Sequence, residues 1–355
     1  MEKFLTIIVA AFNVDKYLRK GCESCVLGSP WCDMLDVIIV NDGSTDNSSM
    51  IAHEFERFYP HVFRVIDKQN GHYGSCVNRG LALAQGRYVK ILDGDDSFDV
   101  QGLKALVERL VFWGEDGPDV IYCDCDWINA TGEVVETARL NFEDGAPFKL
   151  LDLSSIDKHI GHPQLVYRTA MLVENNYQQT EGCAYTDIEY YTLPLLWCRS
   201  FRYVRISPMR ILVEREGRSM ATATYAKQFG TVAKLTIGLV KQWNRWKGQC
   251  PHENYEYVGS ILLKQVQAIY SSCISGICGV LPSVDLGRFD TELKACDLWF
   301  YNSVESVTRF YGFKLNLVGE WRRTHDINSW RLLVWRKYVN FIANVAKLKH
   351  FLLVR

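Results

Sequence analysis

The sequence lacks net charge, long apolar runs and internal repeats. Its 40 Lys and Arg against 41 Asp and Glu give a formal net charge of −1. Because no global field would attract a polyanion, the composition argues against nucleic acid as a partner. No window reaches the roughly 20 consecutive apolar residues that a membrane-spanning helix requires, so we predict no such helix. The chain has 355 residues, of which 48% are hydrophobic, which suffices for one large core or for a core with an appended domain.

The N-terminal sequence does not resemble a signal peptide, because its apolar stretch is short and ends at Asn13. We therefore expect a cytoplasmic protein whose 12 cysteines are reduced thiols. Two pairs, Cys22/Cys25 and Cys123/Cys125, have a spacing that could suggest zinc. Neither is followed by a second pair, so we interpret them as small buried side chains.

Short apolar runs alternate with helical patterns in the first third of the chain. The helical segments begin at Asp15 and Asp46, which can cap them, and a third ends at Gly86. The alternation predicts an α/β fold with a mainly parallel sheet flanked by helices. The runs that resemble strands buried on both faces are 4–12, 36–40, 63–66, 88–92 and 119–123.

The alternation fades after about residue 140. Longer helical patterns follow, notably over 226–247 and 255–280. We therefore predict one domain over residues 1–225 and a mostly helical C-terminal region over 226–355.

Polar loops follow the predicted strands, at the end where a parallel sheet binds its ligands. They are Phe12-Asn13, NDGSTDNS (41–48), DKQNGHYGS (67–75) and DGDDS (93–97). Three of these four loops carry carboxylates, and all four should meet at one edge of the sheet.

The stretch ILDGDDSF (91–98) places Asp93, Asp95 and Asp96 directly after an apolar run. An Asp-x-Asp at a strand end can bind Mg²⁺ or Mn²⁺ when a substrate diphosphate supplies further ligands. The alternative is a turn in which Asp93 or Asp96 caps a helix that begins near Phe98.

The loop after the second strand places Asp42 directly before Gly43. A carboxylate there can accept a hydrogen bond from a uracil imide or a ribose hydroxyl, and the glycine permits close approach of the ligand. The alternative is a capped turn between strand and helix, a role for which Ser44 and Asp46 are suited.

Four stretches occur in the order and at the spacings of the family 2 glycosyltransferases, and the sequence resembles that family. They are IIVAAFNVDKYLRKGCESCV, VIIVNDGSTDNS, NGHYGSCVNRGLALAQGRYVKILDGDDSF and TDIEYYTLPLLW. The resemblance covers residues 1–110, is weaker to about 220 and is absent beyond. It implies a GT-A fold, which is Rossmann-like, and transfer of a sugar from a nucleotide diphosphate sugar to a glycan hydroxyl in polysaccharide biosynthesis.

The resemblance also implies roles for individual residues. Asp187 corresponds to the catalytic base, Asp95 to a ligand of Mn²⁺ or Mg²⁺, and Asp93 to a residue that faces the metal or the ribose. Asp42 corresponds to the contact with the nucleotide base. The rest of the implied nucleotide-sugar site consists of Ala10, Phe12 and Asn13 in the first loop, Asn70, Gly71 and His72 in the third, Asn78 and Arg79 in the following helix, and Gly94.

These roles agree with the chemistry. Attack of a sugar hydroxyl on an anomeric carbon needs a carboxylate to take the proton and a counter-charge for the departing nucleoside diphosphate. A single base driving in-line displacement would invert the anomeric centre. Since Asp42 suits an imide donor, uridine is the favoured nucleoside.

The sequence departs from the family pattern at three places. Ala10-Ala11-Phe12-Asn13 replaces Pro-x-Tyr-Asn, which removes a phenolic hydroxyl from the base pocket. Thr186-Asp187 replaces Glu-Asp, which removes a second carboxylate. His72 and Tyr73 stand where small residues are usual, and His72 is either a contact to phosphate or sugar or a structural histidine.

Two further loops carry candidate residues. His159, His162 and Gln164 lie in KHIGHPQLVYR (158–168), where Pro163 argues against a helical pair of metal ligands. We predict that this loop lines the donor-sugar or acceptor pocket. VEREGRSM (213–220) resembles a loop that closes over the diphosphate, with Arg215, Arg218 and Ser219 as its contacts. The alternative for this loop is a solvated surface segment.

The segment 321–355 has eight Lys or Arg against one Asp and no Glu. Its apolar positions fall on one face of a helix from 332 to 346. A helix lying in an anionic membrane interface and a helix packed on its own domain both fit this pattern. The first would bring a lipid-linked glycan acceptor to the enzyme.

Two other functions remain open from the residues alone. A nucleotidyltransferase would also need a pair of metal-binding carboxylates, although it usually has a glycine-rich loop near its start, and residues 8–20 contain no glycine. A non-catalytic module that binds sugar nucleotides is the second alternative.

Overall fold

The computed structural model describes residues 2–154, 161–213, 222–275, 285–305, 308–310 and 313–337. The first part of the chain alternates strands and helices, which confirms the α/β prediction. Its elements are β1 (Leu5–Ala11), α1 (Asp15–Glu23), β2 (Leu35–Asn41), α2 (Ser48–Phe58), β3 (Phe63–Asp67), α3 (His72–Leu83) and β4 (Tyr88–Asp93). Strands β1, β2 and β4 are almost completely buried, because both faces of the sheet are covered there, while β3 at its edge is partly exposed.

The next elements complete the sheet. They are β5 (Ser97–Phe98), α4 (Val100–Trp113), β6 (Val120–Ile128), β7 (Val134–Ala138), α5 (Leu150–Ser154), β8 (Leu165–Arg168), α6 (Thr169–Glu174), α7 (Asp187–Tyr190) and β9 (Phe201–Leu212). Short 3₁₀ turns lie at Trp31–Met34, Gly114–Asp116, His162–Gln164 and Leu193–Leu196.

The sheet has the strand order β3-β2-β1-β4-β8-β6-β9-β5, with β7 beside β6. The prediction of a mainly parallel sheet holds for β1 to β4 and for the pair β6 and β9. It was wrong for β8, which runs antiparallel to its neighbours β4 and β6, and for β7 and β5, which run antiparallel to β6 and β9.

Three predicted helix boundaries were wrong: the starts of α4 and α1 and the end of α3. Helix α4 is capped by Asp99, whose Oδ1 accepts from Gly102 N at 2.8 Å, so neither Asp93 nor Asp96 caps it. Helix α3 ends at Leu83 rather than at Gly86, because Gly86 N donates to Thr6 Oγ1 at 2.8 Å instead of to the helix.

Helix α1 begins at Asp15 without a side-chain cap, so the predicted cap by Asp15 was also wrong. The carboxylate of Asp46 serves this region instead. It accepts from Asp15 N and from Ser48 N, each at 3.0 Å, and so holds the first turns of α1 and α2 together.

The core lies on both sides of the first four strands. Leu18 and Cys22 of α1 and Ile51 and Phe55 of α2 pack into it on one side. The described cysteines form no disulfide, and both cysteine pairs are buried. The pairs therefore serve as small apolar side chains.

The described residues form two compact units. The first contains the sheet, the described residues up to Val213 and the segment Gly248–Tyr257. The second contains the described residues of 222–247 and those from Val258 onward, and it is largely helical, as predicted. The remaining elements are α8 (Thr222–Arg245), α9 (His252–Ser275), α10 (Leu286–Cys296), α11 (Leu298–Ser303), β10 (Thr308–Phe310), β11 (Phe313–Leu315) and α12 (Leu317–Thr324), followed by helical residues 330–337.

The second unit is held by a half-buried arginine as well as by apolar packing. Arg322 Nε donates to Asp290 Oδ1 and its Nη1 donates to Glu305 Oε1, each at 2.8 Å. Among the helices in the described part of the chain, none is both long enough and apolar enough to cross a membrane.

Candidate active site

The carboxyl ends of the central strands meet at one edge of the sheet. Ala10 of β1 is paired with Asp93 of β4, and Asn41 of β2 is paired with Ala11 and with Asp67. The loops that carry the predicted site residues therefore start at the same edge of the sheet, as the sequence predicted.

The turn after β4 requires its glycine. Gly94 N donates to Ala10 O at 3.1 Å, and a Cβ at this position would lie 2.8 Å from the same oxygen. Asp95 is partly exposed beside it. Asp96 is buried and accepts from Leu212 N at 3.0 Å, so it connects the turn to the end of β9.

The loop after β1 presents an aromatic ring at the site. Phe12 is 48% exposed, and its neighbour Asn13 has a φ of +53°. Asn13 Oδ1 accepts from Thr45 N at 2.8 Å, which ties this loop to the loop after β2. Phe12 is thus a partly exposed ring on an anchored loop, and its contact with a nucleotide base stays a prediction.

Asp42 is buried and holds the third loop. Its Oδ1 accepts from Gly71 N at 2.9 Å and from Lys68 Nζ at 2.5 Å. Lys68 Nζ also donates to Ser75 Oγ at 2.8 Å. This network fixes Asn70 and Gly71 beside the loop after β2, while the predicted contact between Asp42 and a nucleotide base stays a prediction.

The start of α3 is joined to the loop at 178–182. Asn78 Nδ2 donates to Gln179 O at 2.9 Å, and Gln179 N donates to Asn78 Oδ1 at 2.8 Å. Gly182 N donates to Gly71 O at 2.9 Å. Asn78 therefore holds the loop that leads to Asp187. Its part in the nucleotide-sugar site stays a prediction, as does that of Arg79, which is exposed.

Asp187 is the first residue of α7 and is partly exposed. Burial raises the pKa of its carboxyl, the charge of His162 opposes the rise, and Asp93 adds to it. A carboxylate whose proton affinity is raised in this way suits general-base chemistry.

Glu189 is a site residue that the sequence reasoning missed. Its buried carboxylate accepts from Thr180 N at 2.6 Å and from Thr180 Oγ1 at 2.7 Å. It holds the loop before Asp187, although Thr186 stands where the family has glutamate. An acidic residue two positions after Asp187 was the available signal.

His162 lies between the two aspartates. Its Nε2 is 3.5 Å from Asp93 Oδ2. Burial would lower the pKa of the imidazole, but the carboxylates of Asp93 and Asp187 outweigh this effect and raise it. The ring of Tyr73 meets that of His162 edge-on, with centroids 6.2 Å apart.

The backbone around His162 is held by hydrogen bonds with Lys90 and Gln164. Lys90, a fully buried residue of β4, donates to Pro163 O at 2.6 Å. Gln164 Oε1 accepts from Gly161 N at 2.9 Å, and its Nε2 donates to the Tyr122 hydroxyl. Gln164 therefore supports the turn, and the place of this loop beside the donor-sugar or acceptor pocket stays a prediction.

Strained backbone is concentrated around this edge. Asn13, His72 and Tyr185 have φ values of +53°, +64° and +65°, a region that non-glycine residues seldom adopt. His72 is exposed. Such conformations persist where the surrounding structure fixes them, typically at functional sites.

Asp93 and Asp95 are the candidate metal ligands. Within the described ranges, no group of three His, Cys, Asp or Glu side chains is arranged to hold a metal ion. Two carboxylates at a strand end fit Mg²⁺ or Mn²⁺ when substrate and water supply the other oxygens. His159, Arg215, Arg218 and Ser219 lie outside the described residues.

Comparison with known proteins gives a family match within the first unit. The model of the glycosyl transferase family 2 matches residues 6–169. Over this stretch the chain is similar to family 2 glycosyltransferases.

Known relatives agree with this family. The "Uncharacterized glycosyltransferase YibD" of Escherichia coli is 33% identical over 197 residues, 53% of this chain and 55% of that protein. The "Minor teichoic acid biosynthesis protein GgaB" of Bacillus subtilis is 37% identical over 91 residues, 26% of this chain and 10% of that protein. The match thus spans about half of the Escherichia coli relative and less of the other.

A solved structure confirms the GT-A fold. The crystal structure of S. aureus TarS 1-349 in complex with UDP-GlcNAc aligns with a TM-score of 0.52 and 18% identity. The alignment covers 87% of this chain and 95% of that one.

Proposed function

We propose that this protein is an inverting, metal-dependent glycosyltransferase. It moves a sugar from a nucleotide diphosphate sugar to a hydroxyl of a glycan acceptor in polysaccharide biosynthesis. The observation that carries the proposal is the environment of Asp187, a carboxyl whose pKa is raised by burial and raised further by Asp93, the first residue of the Asp93-Gly94-Asp95 turn.

Asp187 takes the proton from the attacking hydroxyl. Its raised pKa gives it greater proton affinity than an exposed aspartate has. Glu189 and Asn78 hold the loop that leads to it, so the base is fixed before substrate arrives. A single base acting on the face opposite the leaving group inverts the anomeric centre.

Asp95 and Asp93 would hold Mn²⁺ or Mg²⁺, which when bound would supply positive counter-charge to the departing diphosphate. Gly94 permits the turn to approach β1 closely, so the two carboxylates are placed by backbone contacts. Phe12 and Asn13 form the side of the site that receives the nucleotide base.

The donor we propose is a UDP-sugar. Asp42 provides an acceptor at the end of β2, which suits a uracil imide, and the TarS protein of similar fold was crystallised with UDP-GlcNAc. The GgaB relative is named for teichoic acid biosynthesis, which supports a polymer as the acceptor.

We further propose peripheral contact with the cytoplasmic face of a membrane, where a lipid-linked acceptor would be bound. Trp330 and Val334, one helical turn apart, are 69% and 60% exposed. Arg331 and Lys337 flank them, a combination that suits an anionic interface. The rest of the predicted helix, 338–355, lies outside the described residues.

The proposal is tested by thermal unfolding with UDP-, GDP- and dTDP-sugars, with and without Mn²⁺. A true donor stabilises the folded state by mass action, and the shift should require Mn²⁺. Asp95→Ala should abolish the metal-dependent shift. Asp126→Ala is the matched control, since its carboxylate belongs to a second Asp-x-Asp on β6 and accepts from Thr137 Oγ1. If no sugar nucleotide shifts the wild-type protein, the proposed function is wrong.

A further inference from the structure

Two aromatic side chains converge on Asp93, the first carboxylate of the Asp93-Gly94-Asp95 turn. The Tyr73 hydroxyl is buried, and Asp93 acts on it more strongly than any other charged group. His162 Nε2 is buried as well and lies 3.5 Å from Asp93 Oδ2. Both donors therefore face one carboxylate.

Neither donor has a hydrogen bond of normal geometry to a residue in the described part of the chain. A buried donor left in this state is unfavourable. At catalytic sites, hydrogen bonds are often long without substrate and shorten in the complex. A contraction of about half an ångström would bring His162 Nε2 to hydrogen-bond distance of Asp93.

Both side chains are fixed by their surroundings. Tyr73 is the second residue of α3, and its neighbour Gly74 lies so close to the loop at 178–182 that a Cβ would meet Thr180 O at 2.2 Å. The His162 turn is supported by Lys90. Since the two elements cannot move far, contraction would move the carboxylate toward the donors.

We propose that Tyr73 and His162 are positioning residues that fix the carboxylate of Asp93 for binding of the diphosphate and metal. The inference rests on the proposed function. Asp93 then differs from Asp95 in being held by two donors. Neither positioning residue touches the donor substrate in this account.

The test is a set of double-mutant cycles read as the affinity for UDP with Mn²⁺, measured by calorimetry on the full chain. Tyr73→Phe removes only the hydroxyl, and His162→Leu removes the second donor. Each should weaken UDP–Mn²⁺ binding about tenfold, as expected for loss of a hydrogen bond to a charged group. His162→Gln keeps an N–H donor and should restore most of the affinity.

The decisive measurement uses Asp93→Ala as background, because alanine offers no acceptor to either donor. If both side chains act through Asp93, Tyr73→Phe and His162→Leu should cause no further loss of affinity there. A full tenfold loss in that background would mean direct contact with UDP or the metal and would overturn the proposal.

The matched control is Tyr88→Phe. Tyr88 is a buried tyrosine at the opposite end of β4, roughly 16 Å from Asp93, and its hydroxyl donates to Pro118 O at 2.9 Å. It should lower the melting temperature without changing UDP affinity. If Tyr88→Phe weakens binding as much as Tyr73→Phe does, the effect is general destabilisation and the proposal is wrong.

Failure of this inference can be distinguished from failure of the proposed function. A wild-type protein that binds no nucleoside diphosphate with Mn²⁺ would refute the proposed function and this inference together. A wild-type protein that binds UDP, with unchanged affinity in Tyr73→Phe and His162→Leu, would refute the inference alone.

Discussion

Replacing Gly74 by alanine should separate α3 from the loop that carries the proposed base. The added Cβ would lie 2.2 Å from Thr180 O, and an ordinary contact starts at 3.4 Å. The loop must therefore move by 3.4 − 2.2 = 1.2 Å. Three hydrogen bonds that involve the backbone of the loop join the two segments at 2.8–2.9 Å, and a shift of this size takes them out of range.

The magnitude follows from these bonds. Each contributes about 1 kcal/mol net, so their loss amounts to about 3 kcal/mol. Alanine is favoured over glycine within a helix by about 1 kcal/mol, which leaves a net destabilisation of about 2 kcal/mol. Displacement of a catalytic group by about 1 Å can lower turnover by about 10²-fold.

The assay combines urea unfolding with initial rates of sugar transfer. Gly28→Ala is the control, because nothing lies within 4 Å of the added Cβ, and it should leave both quantities near the wild-type values. A Gly74→Ala protein with wild-type stability and kcat would show that the contact between α3 and the loop at 178–182 does not fix Asp187.

Three further predictions concern individual carboxylates. Asp36→Ala should lower the free energy of unfolding by about 3–5 kcal/mol in urea titrations, because it leaves Arg64, which lies 2.6 Å from Asp36 Oδ1, without its ion-pair partner. KM should not change, since Asp36 is the second residue of β2 and the site lies at the other end of that strand. Glu189→Gln should lower kcat more than it raises KM in initial-rate assays, because it loosens the Thr180 loop; a rise in KM alone would contradict this role. Asp187→Asn should melt at a higher temperature than wild type at pH 7–8. The pKa of Asp187 is raised by burial above its ordinary value of 3.8, so the folded state favours the protonated acid, and that stabilisation is lost as the pH rises through the raised pKa. The difference in melting temperature should shrink at acidic pH, and equal melting temperatures at pH 7–8 would refute the burial argument.

Local patterns were sufficient to predict the first four strands and their functional edge. Each strand is a continuous apolar run, and strands joined by helices must lie parallel, so their polar loops meet at one edge. The positions of Asp42 and Asp93 follow from this rule. The sequence could not predict that β8 would pair between β4 and β6, because long-range pairing depends on registers that no local pattern encodes.

The partners of individual side chains were harder to predict for the same reason. Asp96 looked like a helix cap, yet its partner is Leu212 N, 116 residues away in the chain. Asn78 lies in a motif that resembles part of the nucleotide-sugar site, and its hydrogen bond to Gln179 joins residues 101 positions apart in the chain. A polar residue next to a motif therefore indicates the neighbourhood of the site, while its own role depends on distant backbone.

The central claim is that Asp187 acts as the base in a metal-assisted sugar transfer. The most direct measurement is turnover and donor binding by Asp187→Asn, with the sugar nucleotide and Mn²⁺ that stabilise the wild-type protein. We predict that the variant binds the donor with wild-type affinity and that transfer falls by about 10²-fold or more. Full transferase activity in Asp187→Asn would contradict the claim.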